Sequence, residues 1–226
     1  MDSGAVAPDW DAVFETLENW RSRLEEREAP SVTAIAKTHG RDPWAVLVST
    51  ILSLRTKDEV TLAASRRLLA AAPTPAALLG LGEAETAKLA YPAGFYRTKA
   101  RNLTTIAALL EDRYRGAVPA DAAALLSLPG VGRKTANLVL SEAFDQDAIC
   151  VDVHVHRICN RLGMVRTQHP DDTEAALQTS LPRKYWKTIN ALFVLYGQRV
   201  CRPVGPRCSL CGLAGGCARV GVVRSR

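Results

Sequence analysis

The sequence predicts an all-α protein, and three observations carry that prediction. Apolar residues recur at three- and four-residue spacing through most of the chain. No stretch alternates apolar and polar long enough to form a sheet. Glycine and proline fall at the joints between the helical segments. The first segment runs from Asp9 to Glu26, with Trp10, Val13, Phe14, Leu17, Trp20 and Leu24 on one stripe. Asp42-Pro43 is a helix cap followed by proline in the first turn. It launches Trp44 to Leu54, which is apolar almost all round and so is expected to be a central buried helix. Asp58 to Ala71 and Lys99 to Glu111 are further amphipathic helices. Joints fall at Gly80-Leu-Gly82, Tyr91-Pro92 and Val118-Pro119. The tryptophans and leucines are core residues on this reading.

A chain of 226 residues suits one large or two small domains with a real hydrophobic core. Hydrophobic residues make up 47%, an ordinary soluble composition, and charge breaks every apolar run before it reaches membrane-spanning length. The start, Met1-Asp-Ser-Gly, lacks the basic and apolar regions of a secretory signal. Six cysteines, four of them clustered, point to metal ligation in a reducing cytoplasm rather than to a disulfide framework. The net charge is +6 and the isoelectric point about 9.1. Ala175 to Arg226 contains no acidic residue but nine basic ones: Arg183, Lys184, Lys187, Arg199, Arg202, Arg207, Arg219, Arg224 and Arg226. Either this surface faces a polyanion, or the excess balances thiolates bound at a metal centre.

Three motifs carry chemistry. Cys201, Cys208, Cys211 and Cys217 are separated by six, two and five residues, which holds four thiolates near one point. The tail reads as a [4Fe–4S] loop, with each sulfur on one iron. Zinc is the alternative, although the six-residue gap is wide for a zinc knuckle.

Leu128-Pro-Gly-Val-Gly132 is a tight turn between a short helix, Ala122 to Leu126, and a second helix, Arg133 to Ala143. Gly130 and Gly132 permit backbone angles forbidden to other residues and leave their amides uncovered, so the turn and the next helix start can hold a phosphate oxygen. Leu128 and Val131 anchor the turn in the core. This helix–hairpin–helix arrangement grips DNA backbone without reading sequence. Arg133 and Lys134 follow directly. The helix start and Arg133 both disfavour an ammonium ion at Lys134 and so favour the nucleophilic amine. A second phosphate contact accounts for Lys134 equally well.

The third motif is Val151-Asp-Val-His-Val-His-Arg157. Asp152 stands where a helix cap falls. His154 and His156, two apart, cannot share a helix face, so a phosphate contact or a buried hydrogen bond suits them better than metal chelation. Cys150 and Cys159 lie outside the cluster set and read as buried residues.

Together, Leu128-Pro-Gly-Val-Gly-Arg-Lys-Thr-Ala-Asn137, Val151-Asp-Val-His-Val-His-Arg157 and the C-x6-C-x2-C-x5-C tail resemble the endonuclease III family of DNA base-excision glycosylases, in order and spacing, from about residue 9 to residue 217. The resemblance implies a two-lobed helix–hairpin–helix DNA glycosylase fold with a C-terminal iron–sulfur loop over 201–217. One lobe covers 36–146 and carries the hairpin. The other combines 1–35 with 147–226. Lys134 matches the family's catalytic lysine and Asp152 its catalytic aspartate. The resemblance further implies a glycosylase and apurinic/apyrimidinic lyase that excises oxidised pyrimidines from duplex DNA through a lysine Schiff base and β-elimination. Nothing in the sequence suggests an oligomer, and wrapping DNA with two lobes needs only a monomer, so a monomer is expected. Gly130, Gly132, Arg133 and His154 are expected at the DNA.

Two positions depart from the family pattern. Arg55, in Ser53-Leu-Arg-Thr-Lys-Asp58, stands where glutamine is frequent, at the residue that enters the gap left by a flipped base. Phe95, in Gly94-Phe-Tyr-Arg97, stands at the wedge leucine. Both changes bear on opposite-base preference. Arg97, Lys99 and Arg101 are candidate phosphate contacts or a solvated helix face. Two other readings remain open: a thymine or uracil mismatch glycosylase of the same fold, and a non-enzymatic DNA-binding protein with a structural metal site.

Overall fold

The structure, a computed structural model of the chain, describes residues 9–24 and 29–226. Its helices are α1 (Trp10–Arg21), α2 (Ser31–Thr38), α3 (Pro43–Ser53), α4 (Asp58–Ala71), α5 (Pro75–Ala90), α6 (Tyr96–Tyr114), α7 (Ala122–Leu126), α8 (Arg133–Phe144), α9 (Val153–Leu162), α10 (Pro170–Ser180) and α11 (Ile189–Arg199). Short 3-10 turns occur at Arg183–Tyr185 and Cys208–Leu210, and no strand occurs among the described residues. The fold is all-α and two-lobed. Pro30–Ala148 forms one unit, and Ile149–Arg226 joins the N-terminal segment through Ala29 to form the other.

In the Pro30–Ala148 unit, α3 is the central helix. The Asp42 side chain accepts a hydrogen bond from the Ala45 amide at 2.8 Å, and Pro43 occupies the first turn. Every residue from Trp44 to Leu52 is buried, as the all-round apolar pattern requires, and α2, α4, α6 and α8 pack around it. The Trp44 indole N–H donates to the Ala72 carbonyl at 3.2 Å, which satisfies its one polar atom inside the core. Gly82, at φ 75°, breaks α5 into two helical pieces, so the glycine joint is a kink within one element.

The chain then turns through Tyr91–Phe95 into α6. That helix is longer than the sequence suggests, starting at Tyr96 rather than Lys99 and running on to Tyr114. The Gly116 amide closes its end on the Leu110 carbonyl at 2.9 Å.

In the second unit, α1 supplies Phe14, whose ring stacks on Tyr185 at 3.7 Å, and Trp20, whose ring meets Tyr196 edge-on at 4.8 Å. Helix α1 ends at Arg21, earlier than the sequence placed it. The Ser22 hydroxyl turns back to the Asn19 carbonyl, and Leu24 lies beyond the helix. Glu25 and Glu26 lie outside the described residues. Helix α9 packs against α10 and α11, and Ile158, Cys159 and Leu162 are buried with Phe193. Burial pushes the Cys159 thiol up, so both Cys159 and the buried Cys150 are core residues.

Candidate nucleic-acid interface and active site

The hairpin lies in the Pro30–Ala148 unit. The Asp121 side chain caps α7 by accepting from the Ala124 amide at 2.8 Å, and the Val131 amide closes the following turn on the Leu128 carbonyl at 3.2 Å. Leu128 and Val131 are buried and hold the turn to the core, as expected. The two glycines do different jobs. Gly130 has φ 76°, in the left-handed region, and a Cβ there would overlap the Asn102 amide nitrogen. Gly132 has φ −97°, an ordinary backbone angle that needs no glycine, which corrects the expectation of special angles at both positions. What Gly132 contributes is bareness. It is the N-cap of α8, makes no side-chain cap, and nothing comes within 4 Å of a Cβ placed on it. The first amides of α8 are therefore not covered by a capping side chain, the arrangement that receives an anionic oxygen. Arg133 is exposed and Lys134 half-buried on the first turn.

Two other turns of this unit come together. Arg55 (φ 52°) and Phe95 (φ 56°) both sit in the left-handed region, a strain that non-glycine residues adopt only when their surroundings impose it. Both are exposed, Phe95 at 63%, and the Arg55 guanidinium lies 5.7 Å from the centre of the Phe95 ring. Phe95 is therefore not a core residue. Lys99 corrects its sequence reading as well. It is 5% exposed and neither faces solvent nor is placed to touch phosphate. Its ammonium donates to the Leu52 carbonyl at 2.8 Å, the Leu54 carbonyl at 2.6 Å and the Thr56 hydroxyl at 2.8 Å. Helical spacing placed Lys99 beside Arg97 and Arg101, and only the packing against the end of α3 shows that its side chain turns inward.

The second unit holds Asp152, His154 and the cysteines. Asp152 is the N-cap of α9, and its Oδ1 accepts from the His154 amide at 2.8 Å and the Val155 amide at 3.0 Å. The capping role and the candidate catalytic role thus meet in one carboxylate, held in a fixed orientation at the positive end of a helix. His154 is half-buried, and its Nδ1 accepts from Arg157 Nη2 at 3.1 Å, which puts the ring proton on Nε2. Arg157 also donates to the Gly197 carbonyl at 3.1 Å and to the Cys201 carbonyl at 2.9 Å. His156 meets the Thr173 hydroxyl at 2.7 Å. Burial, with a contribution from His169, lowers its pKa, while Asp172 opposes the shift. His156 is thus a half-buried hydrogen-bonding residue.

The four cysteines of the tail line one small cavity of about 30 Å³, along with Arg161, Val200, Pro206, Ala214 and Val222. Among the described residues, no three His, Cys, Asp or Glu side chains converge on a single metal ion. Three of these sulfurs, those of Cys201, Cys211 and Cys217, have polar neighbours that sequence reasoning missed. Arg161 Nη1 stands 3.4 Å from Cys201 Sγ, the Tyr196 hydroxyl donates to Cys211 Sγ at 3.1 Å, and the Arg219 amide donates to Cys217 Sγ at 3.4 Å. Arg161 is 9% exposed and also donates to the Arg202 carbonyl at 2.6 Å and the Pro203 carbonyl at 2.9 Å. The clue was present in the sequence: Arg157 and Arg161, four residues apart, share one face of α9. Donors aimed at sulfur suit thiolates bound to a metal group, since they offset negative charge on the ligands. The Cys217 thiol donates to the Arg161 carbonyl at 3.3 Å, a contact its deprotonated form gives up.

A family model described as HhH-GPD superfamily base excision DNA repair protein matches residues 48–183. Over 195 residues the chain is 43% identical to Endonuclease III of Thermotoga maritima, covering 86% of this chain and 92% of that protein. The chain belongs to the endonuclease III family. Family membership makes this an enzyme chain of base-excision repair, not a DNA-binding module alone. Two solved structures agree in fold. One, a non-covalent Endonuclease III–DNA complex, has a TM-score of 0.75 and 35% identity over 79% of this chain and 84% of that one. The other, a trapped Endonuclease III–DNA covalent intermediate with an estranged adenine, has a TM-score of 0.77 and 30% identity over 94% of this chain and 97% of that one. No helix among the described residues is long and apolar enough to cross a membrane.

Proposed function

We propose that this chain is a bifunctional DNA glycosylase and apurinic/apyrimidinic lyase that removes oxidised pyrimidines from duplex DNA, with Lys134 as its nucleophile. The observation that carries the reading is the placement of Lys134. It lies half-buried one residue into a helix whose start is left bare by Gly132 and follows a core-anchored hairpin. A phosphate held by the hairpin amides and Arg133 fixes the DNA backbone beside that amine. A flipped nucleotide then presents C1′ to it.

The lone pair of Lys134 Nζ forms a bond to C1′ as the glycosidic C1′–N bond breaks, and the base leaves with that electron pair and takes up a proton. Asp152 stabilises the positive charge that develops on the sugar, and its two amide hydrogen bonds hold the carboxylate in place for that role. Opening of the sugar ring leaves a Schiff base between Lys134 and C1′. The imine acidifies the C2′ proton. Its removal expels the 3′ phosphate with the C3′–O electron pair, which cuts the strand, and hydrolysis of the imine then frees the lysine. The trapped covalent DNA intermediate of a 30%-identical relative supports this course.

Cys201, Cys208, Cys211 and Cys217 would hold a [4Fe–4S] cluster. The four cysteines line one cavity, and each thiolate would take its own iron of the cluster. Bound there, the cluster would crosslink the basic loop 201–217, which presents Arg202 and Arg207 to solvent, with Arg219 just beyond it. The protein would act as a monomer in a reducing cytoplasm. His154, with its proton on Nε2, would be a donor to DNA phosphate.

The test is borohydride trapping on duplexes carrying thymine glycol, dihydrouracil or an abasic site. Wild type should form a covalent adduct and Lys134→Ala none. Tight duplex binding by wild type, without adduct or base release, would overturn the assignment.

A further inference from the structure

We propose that Lys99 is a positioning residue for lesion recognition: it locks the Arg55 turn and the Phe95 turn into one rigid two-pronged probe, so that both enter the duplex as a unit and Arg55 meets the base opposite the lesion. This rests on the reading of Arg55 and Phe95 as the residues that enter the DNA.

The geometry is specific. The Lys99 backbone amide donates to the Phe95 carbonyl at 3.0 Å, while its side chain crosses to the other turn. There the ammonium bonds the Leu52 and Leu54 carbonyls, at the end of α3 where helical carbonyls lack partners, and the Thr56 hydroxyl. Three N–H donors meet three acceptors, a match that a neutral amine or a methionine cannot make. Thr56 is the hub between the turns. Its hydroxyl also accepts from the Gly94 amide at 3.0 Å and donates to the Leu54 carbonyl at 3.2 Å. The turns touch so closely that a Cβ on Gly94 would lie 2.5 Å from the Arg55 carbonyl oxygen.

Arg55 and Phe95 therefore flank the clamp, each held in a left-handed conformation that it would not keep alone. Burying an ammonium costs stability, and burial pulls Lys99 down to about 8. Such a cost is expected where shape serves function rather than stability.

The experiment uses the intact protein with Lys99→Met and Thr56→Val. Base release from one lesion placed opposite adenine and opposite guanine is measured under single-turnover conditions. A 2-aminopurine opposite the lesion reports entry of the probe by its fluorescence. Circular dichroism and melting report folding. Both variants should remain helical and still form a borohydride adduct at a preformed abasic site. Their opposite-base ratio should fall toward one by about five-fold, the weight of one hydrogen bond, and the fluorescence response should be lost. If either variant folds and keeps both the ratio and the fluorescence response, the clamp is refuted. It is also refuted if rates fall evenly against all opposite bases in step with a lowered melting point. Should Lys99→Met fail to fold, Thr56→Val decides. Should wild type have a ratio near one, the fluorescence decides. Failure of wild type to trap would instead sink the lyase assignment, and the fluorescence arm would still test the clamp.

Discussion

Replacing Gly197 by alanine sets two physical effects against each other. Gly197 is buried inside α11, where alanine is intrinsically better by about 1 kcal/mol. Packing opposes this. A Cβ at Gly197 would lie 2.5 Å from His154 Nδ1 and 2.9 Å from Arg157 Nη2. The end of an arginine usually yields at small cost, but this one is pinned to the Gly197 and Cys201 carbonyls. Moving it sacrifices charged hydrogen bonds worth about 1.5–3 kcal/mol each, and overpacking adds about 1–3 kcal/mol. The loss of even one of these bonds, added to the overpacking, exceeds the helix-propensity gain, so Gly197→Ala should destabilise the protein by about 1.5–5 kcal/mol. It should also displace His154, whose amide shares the Asp152 carboxylate with Val155. Urea denaturation followed by circular dichroism measures the first effect, and single-turnover base release the second. A Gly197→Ala protein as stable as wild type, or more so, would show that the α9–α11 contact is looser than described and that propensity dominates.

Three further outcomes follow from the same structure. Asp152→Asn keeps a side-chain oxygen for the two amides and should fold normally while losing base release by about 100-fold or more, whereas Asp152→Ala should also lose about 1 kcal/mol of stability; rate and urea midpoint, measured in parallel, separate the roles. Gly130→Ala must adopt φ 76° and push the Asn102 side chain aside, and should cost about 2–5 kcal/mol, while Gly132→Ala should be neutral in stability to within about 0.5 kcal/mol yet bind duplex more weakly in anisotropy titrations, because its methyl group covers the bare helix start. Lys99 is depressed to about 8 from its ordinary 10.5, so between those pH values the unfolded chain holds more protons than the folded one; the stability of wild type relative to Lys99→Met should therefore rise from pH 8 to pH 10.5, by at most about 3 kcal/mol, and a fall in urea titrations would contradict the burial.

Much of this protein is local, and local features are legible in a chain. The sequence by itself determined the all-α class, because helical periodicity records which face each segment buries. It determined the start of α3 at Asp42-Pro43, the span of α4 from Asp58 to Ala71, the hairpin after α7, and the capping position of Asp152, because each rests on residues within a few positions of one another. It also gave the family, through motifs whose order and spacing are contiguous text. Tertiary structure decided what depends on neighbours remote in the chain. It turned Lys99 inward, because the unpaired carbonyls at the end of α3 lie more than forty residues earlier. It gave Gly130 and Gly132 separate tasks, because Asn102 crowds only one of them. It made Arg157 and Arg161 the supports of a cysteine loop some forty residues away. The physical reason is common to all three: a side chain's partner is fixed by the packing of whole helices, and periodicity specifies which face is buried but not against what.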